Sequence, residues 1–406
     1  MAVNNVFLGI FLLAAIIYRQ NNKFFLSISL WLPIILFVWM AMSYFWSIDL
    51  KRTLQAIPKE LSFLLIPLAF AIIPTFTAAQ KNKIIKFYSY SMVVLMVFFL
   101  IRAFIRFIIT KETTVFFYHG PENTIDTGLV PRLLNAIHVS VFVAIAFFYF
   151  FIKEYRTKLD QLFSVLLFVF IVLLSSKNII VVFVLLLLVQ VFFYSKIANR
   201  LRLRNLTILL IILGGVISFS NIKDRFLIEF TSNTDKSLSS NMSVNNAEGV
   251  NVISIYEAWN NDKFTPNDYF PGTAFRVYQI RVFTEFLSEE SMFWKGFGLN
   301  ASLNKLLEKE NQHNLYPGYG NYNFHNQYVQ NFAELGFIGF LMLLVLLFIN
   351  TINAFKSKNF IHIAFAILMI SLFLTESFLW RQRGVMFFVL FYCLFNTKND
   401  IKMINN

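Results

Sequence analysis

Apolar runs of membrane-spanning length, divided by short clusters of charge, account for most of this chain. A helix needs roughly 17–25 mainly apolar residues to cross a bilayer. Eleven such runs are expected, at 4–18, 24–46, 60–76, 87–109, 132–152, 161–175, 178–195, 205–220, 335–352, 360–380 and 384–397. Several are short, so their existence is better defined than their ends. The weakest divider is Ser175-Ser176-Lys177. The first run lacks a basic leader and a small-residue cleavage pattern, and it reads as a span rather than a removed signal. Between the eighth and ninth runs lies a polar stretch, 221–334. Its part from Thr231 to Asn251 is rich in Ser and Asn and is expected to be flexible. Helical patterning returns at 275–289 and 300–310, amid Gly, Pro and Tyr. The expected organisation is helices one to eight in 1–220, a large loop in 221–334, and helices nine to eleven with a short tail in 335–406. The class is an all-α polytopic membrane protein.

Composition excludes the alternatives. Apolar residues make up 57% of the chain and charged residues 14%, with 51 Phe and a mean hydropathy of +0.63. A soluble protein carries about 25% charged residues. The single cysteine, Cys393, sits in an apolar run, so no intramolecular disulfide is possible.

The net charge of +13 is informative once it is located. Alternate connections hold Arg19, Lys23, Lys81, Lys83, Lys86, Lys153, Arg156, Lys158, Lys196, Arg200, Arg202, Arg204, Lys356, Lys358, Lys398 and Lys402. The other short connections hold half as many: Lys51, Arg52, Lys59, Lys111, Arg132, Lys177, Arg381 and Arg383. The richer set is therefore expected to be cytoplasmic. The N-terminus and the 221–334 loop then lie outside, and the loop is where exposed chemistry is expected.

The outward cations run against the orientation rule and call for a reason. Arg102 and Arg106 share one helix face at i,i+4. Either they clasp an anion or they snorkel to lipid phosphate. Arg132, Lys177, Arg381 and Arg383 come to the same outer level, and a structural account would pair Glu376, within reach of Arg381, with one of these arginines. The loop adds Arg276 and Arg281. Packed together, these groups would form a basic cavity suited to a phosphate or diphosphate. Among five histidines, His325 stands where an amphipathic stretch runs into the ninth span. Imidazole there suits proton transfer, and a hydrogen-bonded interfacial histidine is the plainer alternative. Tyr316, Tyr319, Tyr322 and Phe324 lie near it and would either stack on sugar faces or pack the loop onto the membrane. Gly336 and Gly339 are expected to allow close helix approach. The sequence contains no HExxH, Cys cluster, phosphate-cradling Gly loop or GxSxG elbow, so neither a metal nor a nucleotide cofactor is expected.

In order along the chain come Arg276, FWKGFGLN with Gly296 and Gly298, His325-Asn326, and Glu334-Leu335-Gly336-Phe337-Ile338-Gly339. With the weaker YFWSIDLKRTLQAIPKELSFLLIP, NAIHVSVFVA, LLSSKNIIV and ESFLWRQRGVMFF, this order resembles the bacterial O-antigen ligase and polymerase superfamily, from about Ser43 to Phe395. The resemblance implies a membrane-embedded glycosyltransferase C type fold in the bacterial inner membrane, with the large loop in the periplasm. It implies a metal-independent, inverting transfer of a glycan from a polyprenyl diphosphate, without a cofactor. The acceptor would be lipid A–core for a ligase or another glycan for a polymerase. Membrane lipids are expected partners and nucleic acid is not. The family histidine maps onto His325 and the loop arginine onto Arg276. Lys177 stands where the family usually has an arginine, which keeps the charge but loses the bidentate fork. Eleven spans are one below the family's usual twelve, and an outside N-terminus would fit loss of the first span or a start codon placed too late. A lipid-linked sugar flippase is the rival class, but it would want its charge near the midplane and needs no large loop.

Overall fold

The computed structural model describes residues 2–19, 27–117, 128–174, 176–195 and 251–397. The eighth expected span, 205–220, the Ser- and Asn-rich segment before Asn251 and the basic cluster from Lys196 to Arg204 lie outside these residues. The described residues are mainly helical, and their one strand pairing is a two-residue parallel pair, β1 (Asn251–Val252) with β2 (Asp268–Tyr269). Five helical segments among the described residues are long and apolar enough to cross a membrane: Ile28–Trp46, Leu50–Ile72, Ala78–Thr110, Lys177–Tyr194 and Gln327–Ser357. Asn4–Ile17, Ala136–Phe151, Phe360–Phe373 and Gln382–Asn396 are shorter apolar helices. The chain divides into two compact units, residues 1–72, 223–348 and 373–390 in the first and 73–222, 349–372 and 391–406 in the second.

The first unit begins with α1 (Ala2–Ile17) and α2 (Ile28–Met42). The third expected run starts earlier than its apolar residues suggested. It is α3 (Leu50–Glu60) followed by α4 (Ser62–Ile72). The amphipathic start of α3 is nucleated by Asp49, which caps Arg52 N at 3.0 Å. Large side chains on α1 and α2, such as Phe7 and Ile28, are exposed, as lipid-facing positions are.

The described part of the polar stretch, from Asn251, folds into a lobe with its own core, around Phe264, Phe270, Tyr278, Phe286, Phe297 and Phe324. It contains α9 (Ile255–Asn260), α10 (Gly272–Glu289) and α11 (Ser302–Gln312), the last two close to the expected helical patterning. Helix α12 (Gln327–Ser357) follows. It is broken at Gly336, whose φ of 68° and ψ of −173° belong to a region that only glycine reaches easily. The FWKGFGLN turn takes over the hydrogen bonds lost at the break. Phe297 N donates to Ala333 O (2.9 Å), Gly298 N to Glu334 O (2.9 Å), and Phe337 N to Phe293 O (2.7 Å). Gly336 thus admits a loop backbone rather than a second helix, which corrects the helix-approach expectation. The same turn is gripped from the other side, where Thr53 donates to Leu299 O (2.8 Å) and Trp46 to Lys295 O (2.8 Å).

The second unit is built from α5 (Ala78–Thr110), α6 (Ala136–Phe151), α7 (Lys158–Leu173), α8 (Lys177–Val189), the end of α12, most of α13 (Phe360–Phe373) and the end of α14 (Gln382–Asn396). Reciprocal capping boxes start α5 at Thr77 and α7 at Thr157. Helix α6 is apolar on all sides and is buried along almost its whole length, the expected outcome for a helix without a polar face. Phe147 and Phe148 pack against Phe183 at ring separations of 4.8 and 5.4 Å.

Candidate functional site

The site grows from a turn that three glutamines hold. Asn326 caps α12 by accepting from Tyr328 N and Val329 N at 3.0 and 3.1 Å. Just before it, His325 adopts a left-handed φ of 46°, a strained choice for a residue with a Cβ. That conformation is over-determined. His325 N donates to Asn323 Oδ1 (3.0 Å), and Phe324 N donates to Gln330 Oε1 (3.1 Å). Gln279 donates to Asn323 O. Phe275 and Tyr322 flank the imidazole at ring separations of 6.1 and 6.0 Å.

The segment after α13 completes the corner. Gln327 Oε1 accepts from Leu379 N (2.7 Å), and Ser377 donates to Gln330 Oε1 (3.4 Å). Trp380 donates to Asn300 Oδ1 (2.8 Å). These bonds bring Glu376 against the histidine, with Oε2 3.4 Å from His325 Nδ1. The Glu376 side chain is 5% exposed and that of His325 26%. Arg276 joins the same turn from α10, donating from Nε to Thr375 O (3.0 Å) and from Nη1 to Gly272 O (2.8 Å). Two carbonyls thereby fix its charge beside the His325–Glu376 pair. Behind the turn is a small cavity of about 20 Å³, room for roughly one water, lined by Glu60, Glu334, Gln330 and Asn331 among others.

Other sequence-derived candidates fall elsewhere. Arg281 is held within the lobe by Glu285 (2.9 Å) and Asp262 (3.3 Å). Glu285 also pairs with Lys309 (2.8 Å) and faces His313 Nε2 (3.4 Å), while Tyr278 OH meets His313 Nδ1 (2.9 Å). Burial holds the His313 imidazole below its ordinary value, against the attraction of Glu285. Phe324 is fully buried in the lobe core, so it offers no face to a sugar. Tyr319 packs on Phe270 and Phe275 and accepts from Phe270 N through its hydroxyl. Tyr316 and Tyr322 are exposed, and only Tyr322 neighbours the histidine ring. Arg381 makes no ion pair among the described residues, so histidine rather than Arg381 stands against Glu376. Arg383 lies in the first turn of α14.

Arg102, Arg106, Arg132 and Lys177 belong to the second unit. Arg102 and Arg106 are on α5, half-buried, and Arg106 Nη1 donates to Gly128 O at 3.4 Å. Arg132 opens a short 3-10 turn, with its side chain outside the described residues. Lys177 is the first residue of α8.

The chain is thus a helical membrane protein with a polar lobe and a histidine, carboxylate and arginine on one corner of it. Residues 162–344 match the family model described as O-antigen ligase, which supports the O-antigen ligase superfamily. The match points to ligase or polymerase type activity. It includes Lys177, Arg276, Arg281, His325, Tyr316, Tyr319 and Tyr322; it ends before Glu376, Arg381 and Arg383 and begins after Arg102, Arg106 and Arg132. No curated protein matches the chain significantly.

Sequence reading overlooked the role of Gln279, Gln327 and Gln330, and did not set Glu376 against His325. A usable signal was present in Gln327 and Gln330, two amides three residues apart on the first turn of a helix that runs into an apolar span. Nothing in the sequence ties them to Ser377 and Leu379.

Proposed function

We propose that this protein transfers a polyprenyl-diphosphate-linked glycan to an acceptor at the outer face of the bacterial inner membrane, as an O-antigen ligase acting on lipid A–core. The observation that carries the reading is His325, half-buried on a braced turn inside the O-antigen ligase stretch, with Arg276 anchored at the same corner. Among the described residues no group bonds its Nε2, which leaves that nitrogen for a substrate.

The chemistry follows from these groups. The acceptor hydroxyl oxygen attacks the anomeric carbon from the face opposite the diphosphate, and the carbon–oxygen bond to the diphosphate breaks with inversion. The hydroxyl proton passes to His325 Nε2. The leaving diphosphate keeps the electron pair, and a fixed guanidinium such as Arg276 counters its charge without reorganising. Lys177, Arg102, Arg106, Arg132, Arg381 and Arg383 are further candidates for holding the donor, and Arg281 is a weaker one because loop carboxylates occupy it. Tyr322 is the aromatic best placed to meet a sugar beside the histidine.

The test is transfer in reconstituted membranes, with purified lipid-linked glycan and either lipid A–core or a second glycan as acceptor. Product on lipid A–core, insensitive to chelators and reduced about 10²–10⁴-fold by His325→Ala, is expected. Product only on the second glycan would make the protein a polymerase. Movement of donor across the bilayer without a new glycosidic bond would make it a flippase.

A further inference from the structure

We propose that Glu376 is the positioning residue of His325: its buried carboxylate accepts the Nδ1–H, fixes the ring and its tautomer, and so presents the Nε2 lone pair to the acceptor hydroxyl. This rests on the catalytic reading of His325 above and adds a residue outside the O-antigen ligase stretch.

Three observations carry it. The first is geometry. Nδ1 faces Glu376 Oε2 at 3.4 Å, at the long end of hydrogen bonding, as is common for catalytic pairs before substrate tightens them. With Nδ1 carrying the proton, neutral imidazole keeps its acceptor at Nε2. The second is burial. Glu376 is 5% exposed while its partner is 26% exposed. A carboxylate withdrawn from water is costly unless it is paired, and a pair with one buried and one accessible member directs the accessible member toward solvent and substrate. The third is bracing. The turn carrying Glu376 is tied on either side by Arg276 Nε to Thr375 O, Ser377 to Gln330, and Leu379 N to Gln327. Gln330 also accepts from Phe324 N, immediately before the histidine. One amide side chain therefore sets the spacing of both members of the pair.

The proton balance is complete. The acceptor proton arrives at Nε2, the Nδ1 proton stays shared with Glu376, and the negative carboxylate offsets the positive charge that imidazolium would leave in a half-buried site. The proton then returns to water or to the released diphosphate.

The experiment uses the full chain in reconstituted membranes, with purified lipid-linked glycan and lipid A–core. Glu376→Gln keeps the shape of the side chain and removes its charge. It should lower kcat by about 10²-fold, the scale of a misplaced catalytic group, with KM for the donor unchanged. Glu376→Asp should recover part of the loss. In a His325→Ala background, Glu376→Gln should cost nothing further, because a positioning residue has nothing left to position. A second readout is independent of turnover: nitrogen NMR of ¹⁵N-histidine-labelled protein in detergent, with the signal assigned by loss in His325→Ala. It should show His325 as the Nδ1–H tautomer in the parent and a changed signal in Glu376→Gln. Parent-like kcat in Glu376→Gln, an equal further loss in the His325→Ala background, or an unchanged tautomer would each overturn the proposal. If His325→Ala itself transfers glycan at the parent rate, the catalytic reading fails and this inference fails with it. An inactive His325→Ala beside an active Glu376→Gln sinks the inference alone.

Discussion

Replacing Gly336 by alanine distinguishes a kinked α12 from a straight one by the sign of the effect. In a straight helix the substitution stabilises by about 1 kcal/mol, because alanine is the better helix former. In the observed fold it must destabilise. The backbone sits at φ 68° and ψ −173°, where a side chain costs about 1–3 kcal/mol in strain. A Cβ there would lie 2.2 Å from Trp294 C and O and 2.4 Å from Lys295 N. These are backbone atoms, so no rotamer change relieves the overlap. The FWKGFGLN turn would have to move away, weakening the bonds from Phe297 N, Gly298 N and Phe337 N, each worth about 1 kcal/mol. The sum is about 4–6 kcal/mol, beyond what most single substitutions cost. Unfolding of purified protein in detergent, by heat or by graded denaturing detergent, measures it. Gly9→Ala is the control, since a Cβ there meets nothing within 4 Å. A Gly336→Ala protein as stable as the parent, or more stable, refutes the kink and the bracing argument that depends on it.

Arg276→Ala should cut transfer strongly while the protein stays inserted, and Arg276→Lys should recover only part, because one ammonium cannot hold both Thr375 O and Gly272 O and still meet a diphosphate; normal turnover in Arg276→Ala, measured as kcat/KM for the donor, removes it from the site. Lys177→Ala is expected to lose activity and Lys177→Arg to keep it, which the same assay checks. For sidedness, single cysteines placed on a Cys393→Ser background should react with an impermeant thiol reagent from outside at Tyr316→Cys and not at Tyr155→Cys, both exposed positions; the reverse pattern inverts the topology. Burial lowers the folded-state pKa of His313 from 6.5, so its contribution to stability is full above about 6.5 and is lost as the pH falls through the folded value. Melting temperature should therefore drop more between pH 7.5 and 5.5 in the parent than in His313→Gln, and equal drops would show that folding does not lower the pKa of the imidazole.

Sequence alone was enough to establish a helical membrane chain, because apolar runs this long have no soluble surface to cover and a backbone in lipid must satisfy its bonds within the helix. It also located the two lobe helices and singled out His325, Arg276 and the glycine turn, since a family resemblance is carried by local order along the chain. It did not show where α3 begins, because Asp49, Lys51 and Arg52 look like a charged connection until the Asp49 cap starts a helix among them. It could not show why Gly296, Gly298 and Gly336 stand where they do, because the reason is a hydrogen-bond exchange between residues about 40 apart in the chain. Nor could it pair Glu376 with His325. Charge and proximity along the sequence favoured a nearby arginine, Arg381 or Arg383, over a histidine 51 residues distant. Only packing decides such a partner, because a buried carboxylate's neighbour is chosen by which turns the surrounding amides clamp together. Those amides, Gln327 and Gln330, carry no charge or pattern that reveals what they reach.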